Sequence, residues 1–117
     1  MGVNCQPCFY QMLELNKISE NYSTDDVNIL SIDVWVSLGE TASLVEQYLQ
    51  YFEEEIGIIL DWTFGLDDTK GTIQQAYATQ GVPTLLILDK KGNVYYTNVG
   101  YETYEELHPI IDELLSS

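Results

Sequence analysis

The chain has 117 residues, enough for one domain with a buried core, and 45% of them are hydrophobic, as in ordinary globular proteins. Its formal net charge is −15, from 19 acidic residues and four lysines, and it contains no arginine. Binding to nucleic acid or to an anionic membrane surface needs cations, so we expect neither partner. No repeat or linker divides the sequence, so we expect a single domain over residues 1–117.

The first predicted element is a helix that begins at a pair of cysteines. Cys5 and Cys8, the only cysteines, are separated by Gln6 and Pro7, and an apolar periodicity typical of a helix continues to about Asn21. The free N–H groups and the dipole at a helix N-terminus stabilise a thiolate, which is the reactive form of cysteine. In such motifs the pKa of the first thiol lies between about 3.5 and 7.5, against about 8.5 for a free cysteine.

Two thiols at this spacing can close into a disulfide and reopen. We predict that Cys5 attacks a partner and that Cys8, one helical turn later, resolves the mixed disulfide. A structural disulfide is an alternative, although so small a loop would add little stability. A metal site is another alternative, but it would need ligands from a second chain, because His108 is the only histidine and zinc takes four ligands.

The middle of the chain predicts a strand, a helix and a second strand. Residues 27–36 are nearly continuous in β-branched and apolar side chains, which suits a strand buried on both faces. We expect Asp33, which interrupts this run, to be solvated near the sheet edge. Ser43 and Glu46 have capping-box spacing at the start of the next helix. We interpret the short apolar run at 56–60 as the second strand, and residues 63–68 as a loop.

The C-terminal half predicts a helix, a β-hairpin and a closing helix. Its predicted elements are a helix at 69–79 ended by Gly81, a strand at 85–88, a turn at 89–93, a strand at 94–99, and a helix opened by the capping box of Thr103 and Glu106 and containing Pro109.

These motifs together resemble the thioredoxin-fold proteins, and more narrowly the TlpA/ResA-type thiol-disulfide oxidoreductases, over nearly all of residues 4–115. Cys5-Gln6-Pro7-Cys8 matches the active-site motif of that family. Gly81-Val82-Pro83-Thr84, about 75 residues later, matches its cis-proline loop. Residues 56–80 match the additional strand and helix of this branch. The resemblance implies an α/β, thioredoxin-like three-layer fold around a central mixed sheet.

The resemblance also implies roles for individual residues. Cys5, Cys8 and Pro83 would be catalytic, with Pro83 following a cis peptide bond and packing beside the disulfide. The residues implied in substrate binding are Gln6, Pro7, Val82 and Thr84. No cofactor and no metal are implied. The partners would be proteins with thiols or disulfides, and the chain would act on them as a reductant. A redox-idle binding module that grips a partner along Val82–Pro83, or a metal carrier using the cysteine pair, are the alternatives.

The chain departs from the family at four places. Asn4, Gln11 and Leu13 stand where tryptophan, glutamate and a helix-kinking proline are usual, and only Met1–Asn4 precede the cysteines, where the family has a central strand. The family's proton-transfer acid lies on or near that strand and has no assigned equivalent here.

In the family, the central strand before the cysteines lies between the strands that correspond to 27–36 and 85–88. Three explanations fit its absence here: a shortened chain, direct pairing of the two strands, or a second chain that fills the space. We favour a shortened chain that also lacks a membrane anchor, since this branch is commonly anchored outside the cytoplasm. An extracytoplasmic location is therefore favoured over a cytoplasmic one, without membrane contact by this domain. An exposed sheet edge would lower stability and favour a homodimer.

Overall fold

The computed structural model describes the whole chain, residues 1–117. Its helices and strands, in chain order, are α1 (Gln6–Asn21), β1 (Leu30–Asp33), α2 (Ala42–Tyr51), β2 (Thr63–Leu66), α3 (Thr72–Tyr77), β3 (Thr84–Leu88), β4 (Val94–Val99) and α4 (Tyr104–Ser116). A 3-10 turn at Val36–Leu38 precedes α2, and a π-helical turn at Phe52–Ile56 extends it. None of these helices combines the length and the apolar character needed to cross a membrane.

Helix α1 forms where the sequence predicts it. Cys5 is its N-cap, Pro7 lies in its first turn, and Tyr22 ends it in an extended conformation. Proline costs nothing in the first turn, because the N–H that it lacks would have no partner inside the helix. The buried face of α1 includes Cys8, Met12 and Ile18, at helical spacing.

The four strands form two separate sheets. β1 pairs with β2 in parallel, from Leu30 opposite Thr63 to Asp33 opposite Leu66, and β3 pairs with β4 antiparallel. No strand of one sheet is hydrogen-bonded to a strand of the other. The explanation in which the strands around 27–36 and 85–88 pair directly is therefore wrong. The predicted central mixed sheet is therefore divided into a parallel pair and an antiparallel pair.

Met1 lies alongside the free edge of β1. Its amino group donates to the carbonyl of Ile32 at 2.8 Å, and its own carbonyl accepts from the N–H of Val34 at 2.9 Å. This one residue pairs with the C-terminal end of β1, and the rest of that strand edge has no hydrogen-bonded strand.

The strands next to the division are less buried than predicted. Leu30 in β1 is 60% exposed and Leu88 in β3 is 51% exposed, although both segments predict strands buried on both faces. Each of these strands has a hydrogen-bonded neighbouring strand on one side only. On the other side no strand covers its side chains, so they are more exposed than those of a strand inside a sheet.

Several element boundaries differ from the prediction, and β1 is shorter than the predicted strand at 27–36. Residues 56–60 are not a strand, and β2 lies at Thr63–Leu66, in the predicted loop. The apolar run packs without pairing: Leu60 is buried in the main core and Ile58 lies against it, after Gly57 ends the π-helical turn with φ +81°. Helix α2 is capped by Thr41, whose hydroxyl accepts from the N–H of Leu44, and Ser43 and Glu46 form no capping box.

The last two helices follow the predicted order. Helix α3 is shorter than predicted, ending at Tyr77, and Ala78 terminates it before Gly81. Helix α4 has the predicted capping box between Thr103 and Glu106, and Pro109 lies inside it without ending it.

Two hydrophobic clusters stabilise the fold, and α1 contributes to both. The first contains Met1, Cys5, Cys8, Met12, Tyr48, Phe52 and Leu60. The second contains Ile18 of α1 with Leu107 and Ile111 of α4, and Leu85, Ile87, Val27 and Ile29 pack on it. The N-terminal half of α1 thus packs with α2, and its C-terminal half packs with α4 and with residues from both sides of the division.

Gly2 gives the first stability prediction, because a Cβ atom there would clash with the ring of Trp35. The Gly2→Ala variant must displace that half-buried indole, which we expect to cost about 1–3 kcal/mol. Thermal unfolding followed by circular dichroism should show a melting temperature lower by roughly 4–8 °C per kcal/mol.

Gly65→Ala is the matched control. Its new Cβ would lie 3.8 Å from Cγ1 of Ile32, an ordinary van der Waals contact, so we expect little change in the melting temperature. Equal melting temperatures for the two variants would contradict the assigned role of Gly2.

Candidate functional site

Cys5 and Cys8 form a disulfide at the N-terminus of α1, with an S–S distance of 2.16 Å and 5.2 Å between the Cα atoms. Cys8 is fully buried and Cys5 is 5% exposed, so Cys5 is the more accessible sulfur. The N–H of Cys8 donates to Sγ of Cys5 at 3.1 Å. A donor of the first helical turn therefore points at the outer sulfur, where it would stabilise a thiolate once the disulfide is opened.

One residue of the cis-proline motif packs against the cluster that contains this disulfide. That residue is Val82, and the peptide bond between Val82 and Pro83 is cis. Pro83 itself is buried. Thr84 opens β3, and its hydroxyl donates to the carbonyl of Gly81. The fold thus brings together two motifs that are about 75 residues apart in the sequence.

Gln6 and Pro7 are exposed in the first turn of α1, beside the buried cysteines. They are therefore accessible to a partner that approaches the sulfur of Cys5.

His108 lies on α4, half-buried, with its ring 3.4 Å from Asp112 and 3.7 Å from Glu105. The structure brings no group of three or more His, Cys, Asp or Glu side chains close enough together to hold a metal ion.

An aromatic rim near the disulfide was not predicted from the sequence. The ring of Phe9, the residue after Cys8, stacks on Phe52 at 4.7 Å and contacts the edges of Tyr10 and Tyr51. Tyr10 and Tyr51 are exposed, which leaves apolar surface beside Gln6 and Pro7. Phe9 and Tyr10 directly follow the cysteine motif, and this adjacency is the signal that could have identified the rim.

Asp33 and Glu40 form a buried carboxylate pair, and the predicted solvation of Asp33 is wrong. Asp33 is fully buried and Glu40 is 5% exposed. Asp33 is the last residue of β1 and lies opposite Leu66 of β2: its Oδ1 accepts from the N–H of Trp35 at 2.9 Å, and its Oδ2 has no donor.

Glu40 binds the residues that precede the cysteines. Its Oε1 accepts from the N–H of Val3 at 2.6 Å, and its Oε2 accepts from the N–H of Asn4 at 3.2 Å and from Nδ2 of Asn4 at 3.0 Å. Asn4, which replaces the family's tryptophan, therefore has a structural partner. The sequence offered no sign of this contact, because it joins residues that are 36 and 37 positions apart.

The environment shifts the ionisation of the two acids in opposite directions. Burial, and then the neighbouring carboxyl of Glu40, raise the pKa of Asp33 to about 6. Burial alone would raise the pKa of Glu40, but the neighbouring carboxyl of Asp33 and the hydrogen bonds from Val3 and Asn4 outweigh it and lower that pKa. As the pH rises, the pair therefore takes its first negative charge on Glu40, and its second on Asp33 near pH 6.

Gln11, which replaces the family's glutamate, has a structural role. Its Nε2 donates to the carbonyl of Glu102 at 3.0 Å, and its Oε1 accepts from the N–H of Glu102 at 2.9 Å. The carboxylate of Glu102 in turn accepts from the hydroxyl of Tyr96 at 2.6 Å. These reciprocal bonds tie α1 to the segment before α4 and to β4.

Residues 1–94 match a family model described as thioredoxin-like. The chain is 25% identical over 114 residues to the thiol-disulfide oxidoreductase ResA of Bacillus cereus, covering 97% of this chain and 59% of that protein. It is 23% identical over 109 residues to the sporulation thiol-disulfide oxidoreductase A of Bacillus subtilis, covering 93% of this chain and 61% of that protein. The chain thus spans about three fifths of the length of these curated relatives.

Solved structures have the same fold. A putative thioredoxin from Neisseria meningitidis aligns over 100% of this chain and 71% of its own, with a TM-score of 0.78 and 25% identity. StoA from Bacillus subtilis aligns over 92% of this chain and 74% of its own, with a TM-score of 0.71 and 22% identity. A thioredoxin-like superfamily protein aligns over 100% of this chain and 77% of its own, with a TM-score of 0.81 and 20% identity. The likeness to the last two shows the fold alone.

Asp33 gives a prediction about the pH dependence of stability. Its pKa is raised from 3.8 to about 6 on folding, so its contribution to stability is complete below about pH 4 and is lost as the pH rises through 6. Asp33→Asn removes this titration. We expect the free energy of unfolding of the variant, relative to the unchanged protein, to rise between pH 4 and 7 by up to about 3 kcal/mol, as measured by urea unfolding.

Asp61→Asn is the control for that measurement, because Asp61 is exposed. Its difference from the unchanged protein should stay flat across the same pH range. A flat difference for Asp33→Asn as well would show that Asp33 ionises in the folded protein as it does in the unfolded chain.

Proposed function

The chain belongs to the thioredoxin-like family, and from this premise we propose that it is a thiol-disulfide oxidoreductase that reduces disulfides of other proteins through Cys5 and Cys8. The observation that carries the proposal is the closed disulfide at the start of α1, with the N–H of Cys8 directed at Sγ of Cys5. The curated relatives named as thiol-disulfide oxidoreductases support the same activity.

The reaction is a pair of thiol-disulfide exchanges. In the reduced form, the thiolate of Cys5 attacks one sulfur of a substrate disulfide, the substrate S–S bond breaks, and the released substrate thiolate takes up a proton. Cys8 then loses its proton and attacks Sγ of Cys5, which breaks the mixed disulfide and releases the second substrate thiol. Two electrons and two protons pass to the substrate, and the chain is left with the Cys5–Cys8 disulfide. An external dithiol must reduce that disulfide before the next cycle.

The difference in burial supports the assignment of the two cysteines. Cys5 is the more accessible sulfur and receives the N–H of Cys8, so it is suited to attack an incoming disulfide. Cys8 is fully buried, so it reaches only a sulfur that is already attached to Cys5.

The proposed substrate contacts surround the accessible sulfur. Gln6 and Pro7 are exposed on one side of it, and Val82 and Thr84 are half-buried around Pro83. An extended segment of the substrate would pair with the backbone of Val82. Tyr10 and Tyr51 add exposed aromatic surface for apolar side chains of that segment. The resemblance to the TlpA/ResA branch favours an extracytoplasmic setting for this reaction, with a cytoplasmic one as the alternative.

The assignment predicts different outcomes for the two cysteine variants. In an insulin-reduction assay with dithiothreitol, Cys5→Ser should lose the catalysed rate, because the nucleophile is absent. Cys8→Ser should accumulate mixed disulfides with the substrate, visible by non-reducing electrophoresis and mass spectrometry, because nothing resolves them.

Ser43→Ala serves as the control, because Ser43 is exposed on α2 and makes no side-chain hydrogen bond in the capping of that helix. Full activity of Cys5→Ser would remove the proposed nucleophile. If the protein without any substitution is folded but does not reduce insulin, the result would favour the binding module. Stoichiometric metal in the reduced protein would favour the metal carrier.

We also propose that two copies of the chain pair through the free edge of β1 or of β3. The support is the division of the strands into two sheets, which leaves unpaired backbone groups on both of these strands. Such groups favour pairing with another strand when they are exposed. Sedimentation equilibrium should therefore show a concentration-dependent dimer at micromolar to millimolar protein, and a monomer at every concentration in that range would contradict the proposal.

A further inference from the structure

Glu40 controls the short segment that leads into Cys5. Its carboxylate accepts three hydrogen bonds, all from Val3 and Asn4. The next residue is Cys5, whose own N–H donates to the carbonyl of Gly2 at 3.4 Å. These contacts fix the turn that delivers the Cys5 sulfur to the start of α1, and a change in the charge of Glu40 would act on that turn directly.

The carboxylate pair has too few donors to hold two negative charges. Oδ2 of Asp33 is buried beside Glu40 and receives no hydrogen bond. A single proton between the two carboxyl groups supplies the missing donor and removes the repulsion between like charges. With both groups ionised, a buried lone pair stays unsatisfied, which is unfavourable in a dry site.

The groups that face the pair come from each surrounding element. The α-amino group of Met1 lies close enough to interact with both carboxylates. From α2, the buried hydroxyl of Tyr48 faces both and has no hydrogen-bond partner, so it can donate to neither without moving. At the end of β2, the N–H of Asp67 donates to the carbonyl of Asp33, while the Asp67 carboxylate accepts from the first turn of α3.

Building on the proposed function, we propose that Asp33 and Glu40 share one proton and act as positioning residues for Cys5. With the proton in place, the singly charged pair holds Val3 and Asn4. When the proton leaves, the pair gains a second negative charge next to Val3 and Asn4, the residues that lead into Cys5. A nearby negative charge disfavours a thiolate, so Cys5 becomes less reactive than it would be beside a singly charged pair. The pair thus limits the gain in reactivity that a rising pH would otherwise give.

The test measures the reactivity of Cys5 itself. The reduced full-length chain is labelled with iodoacetamide from pH 4.5 to 8.5, and mass spectrometry of the Cys5 peptide gives the rate at each pH. Asp33→Asn keeps a neutral, proton-donating side chain beside Glu40 and so imitates the protonated state. We expect it to shift the labelling midpoint of Cys5 to lower pH, with labelling about three- to tenfold faster on the rising part of the curve above pH 6 and unchanged at pH 5.

Two further variants complete the test. Glu40→Gln removes the partner carboxyl, and the step that the unchanged protein shows near pH 6 should move to lower pH, because Glu40 no longer raises the pKa of Asp33. Glu46→Gln, an exposed acid on α2, is the matched control and should label as the unchanged protein does. A merely structural role would change labelling by the same factor at every pH.

Superimposable curves for Asp33→Asn and the unchanged protein would overturn the proposal. Thermal unfolding of each variant identifies any that fail to fold, and Asp33→Asn alone is sufficient if Glu40→Gln does. Because labelling needs no substrate protein, this result is independent of whether the chain reduces disulfides. If the chain does not reduce disulfides but gives the expected labelling curves, the positioning role would stand and only the proposed function would be rejected.

Discussion

The packing of α1 is the constraint on which the rest of the structure depends. The two sheets share no strand pairing, so no backbone ladder holds the two parts of the fold together. Helix α1 joins them instead, through Cys8 and Met12 in one hydrophobic cluster and Ile18 in the other. Its buried polar residues add specific bonds to the C-terminal part, from Gln11 to Glu102 and from Glu14 to Tyr104. The same helix carries the disulfide at its N-terminus, so the site is placed by the element that organises the core.

The local parts of this architecture could be predicted from the sequence. The apolar period after Cys5, the capping box of Thr103 and the turn at 89–93 each depend on residues a few positions apart, and the elements formed near the predicted places. The cysteine motif and Val82-Pro83-Thr84 were recognisable for the same reason. What brings these two motifs together is the family's fold, and the comparisons with solved structures show that fold.

The errors have a common physical cause in long-range contacts. Asp33 was expected to be solvated because a lone acid in a strand usually is, but Trp35 and Glu40 enclose it. The run at 56–60 looked like a strand because it is apolar, yet burial of Leu60 satisfies those side chains without pairing. The partial exposure of Leu30 and Leu88 followed from a missing neighbour, which no local pattern reports. None of these contacts has a signal in the spacing of nearby residues.

The acidic residues on the surface and those in the interior have different effects on the structure. Glu53, Glu54 and Glu55 are exposed on the π-helical turn, where water and salt screen their charge. Two of the buried acids have a defined set of donors: Glu40 binds Val3 and Asn4, and Glu102 binds Tyr96. The net charge of −15 therefore describes mainly the solvent-facing surface, and the few buried carboxyl groups determine the local geometry.

The bonds between α1 and the start of α4 also bear on how the chain folds. They join residues that are 90 or 91 positions apart, so they close nearly the whole chain into a loop. The β3–β4 hairpin, in contrast, forms from neighbouring residues. Closing a long loop costs entropy before its contacts form, so the hairpin can form early while the docking of α1 onto α4 waits for most of the chain. On a ribosome, where the chain emerges from its N-terminal side, α1 would remain without this partner until α4 has been synthesised.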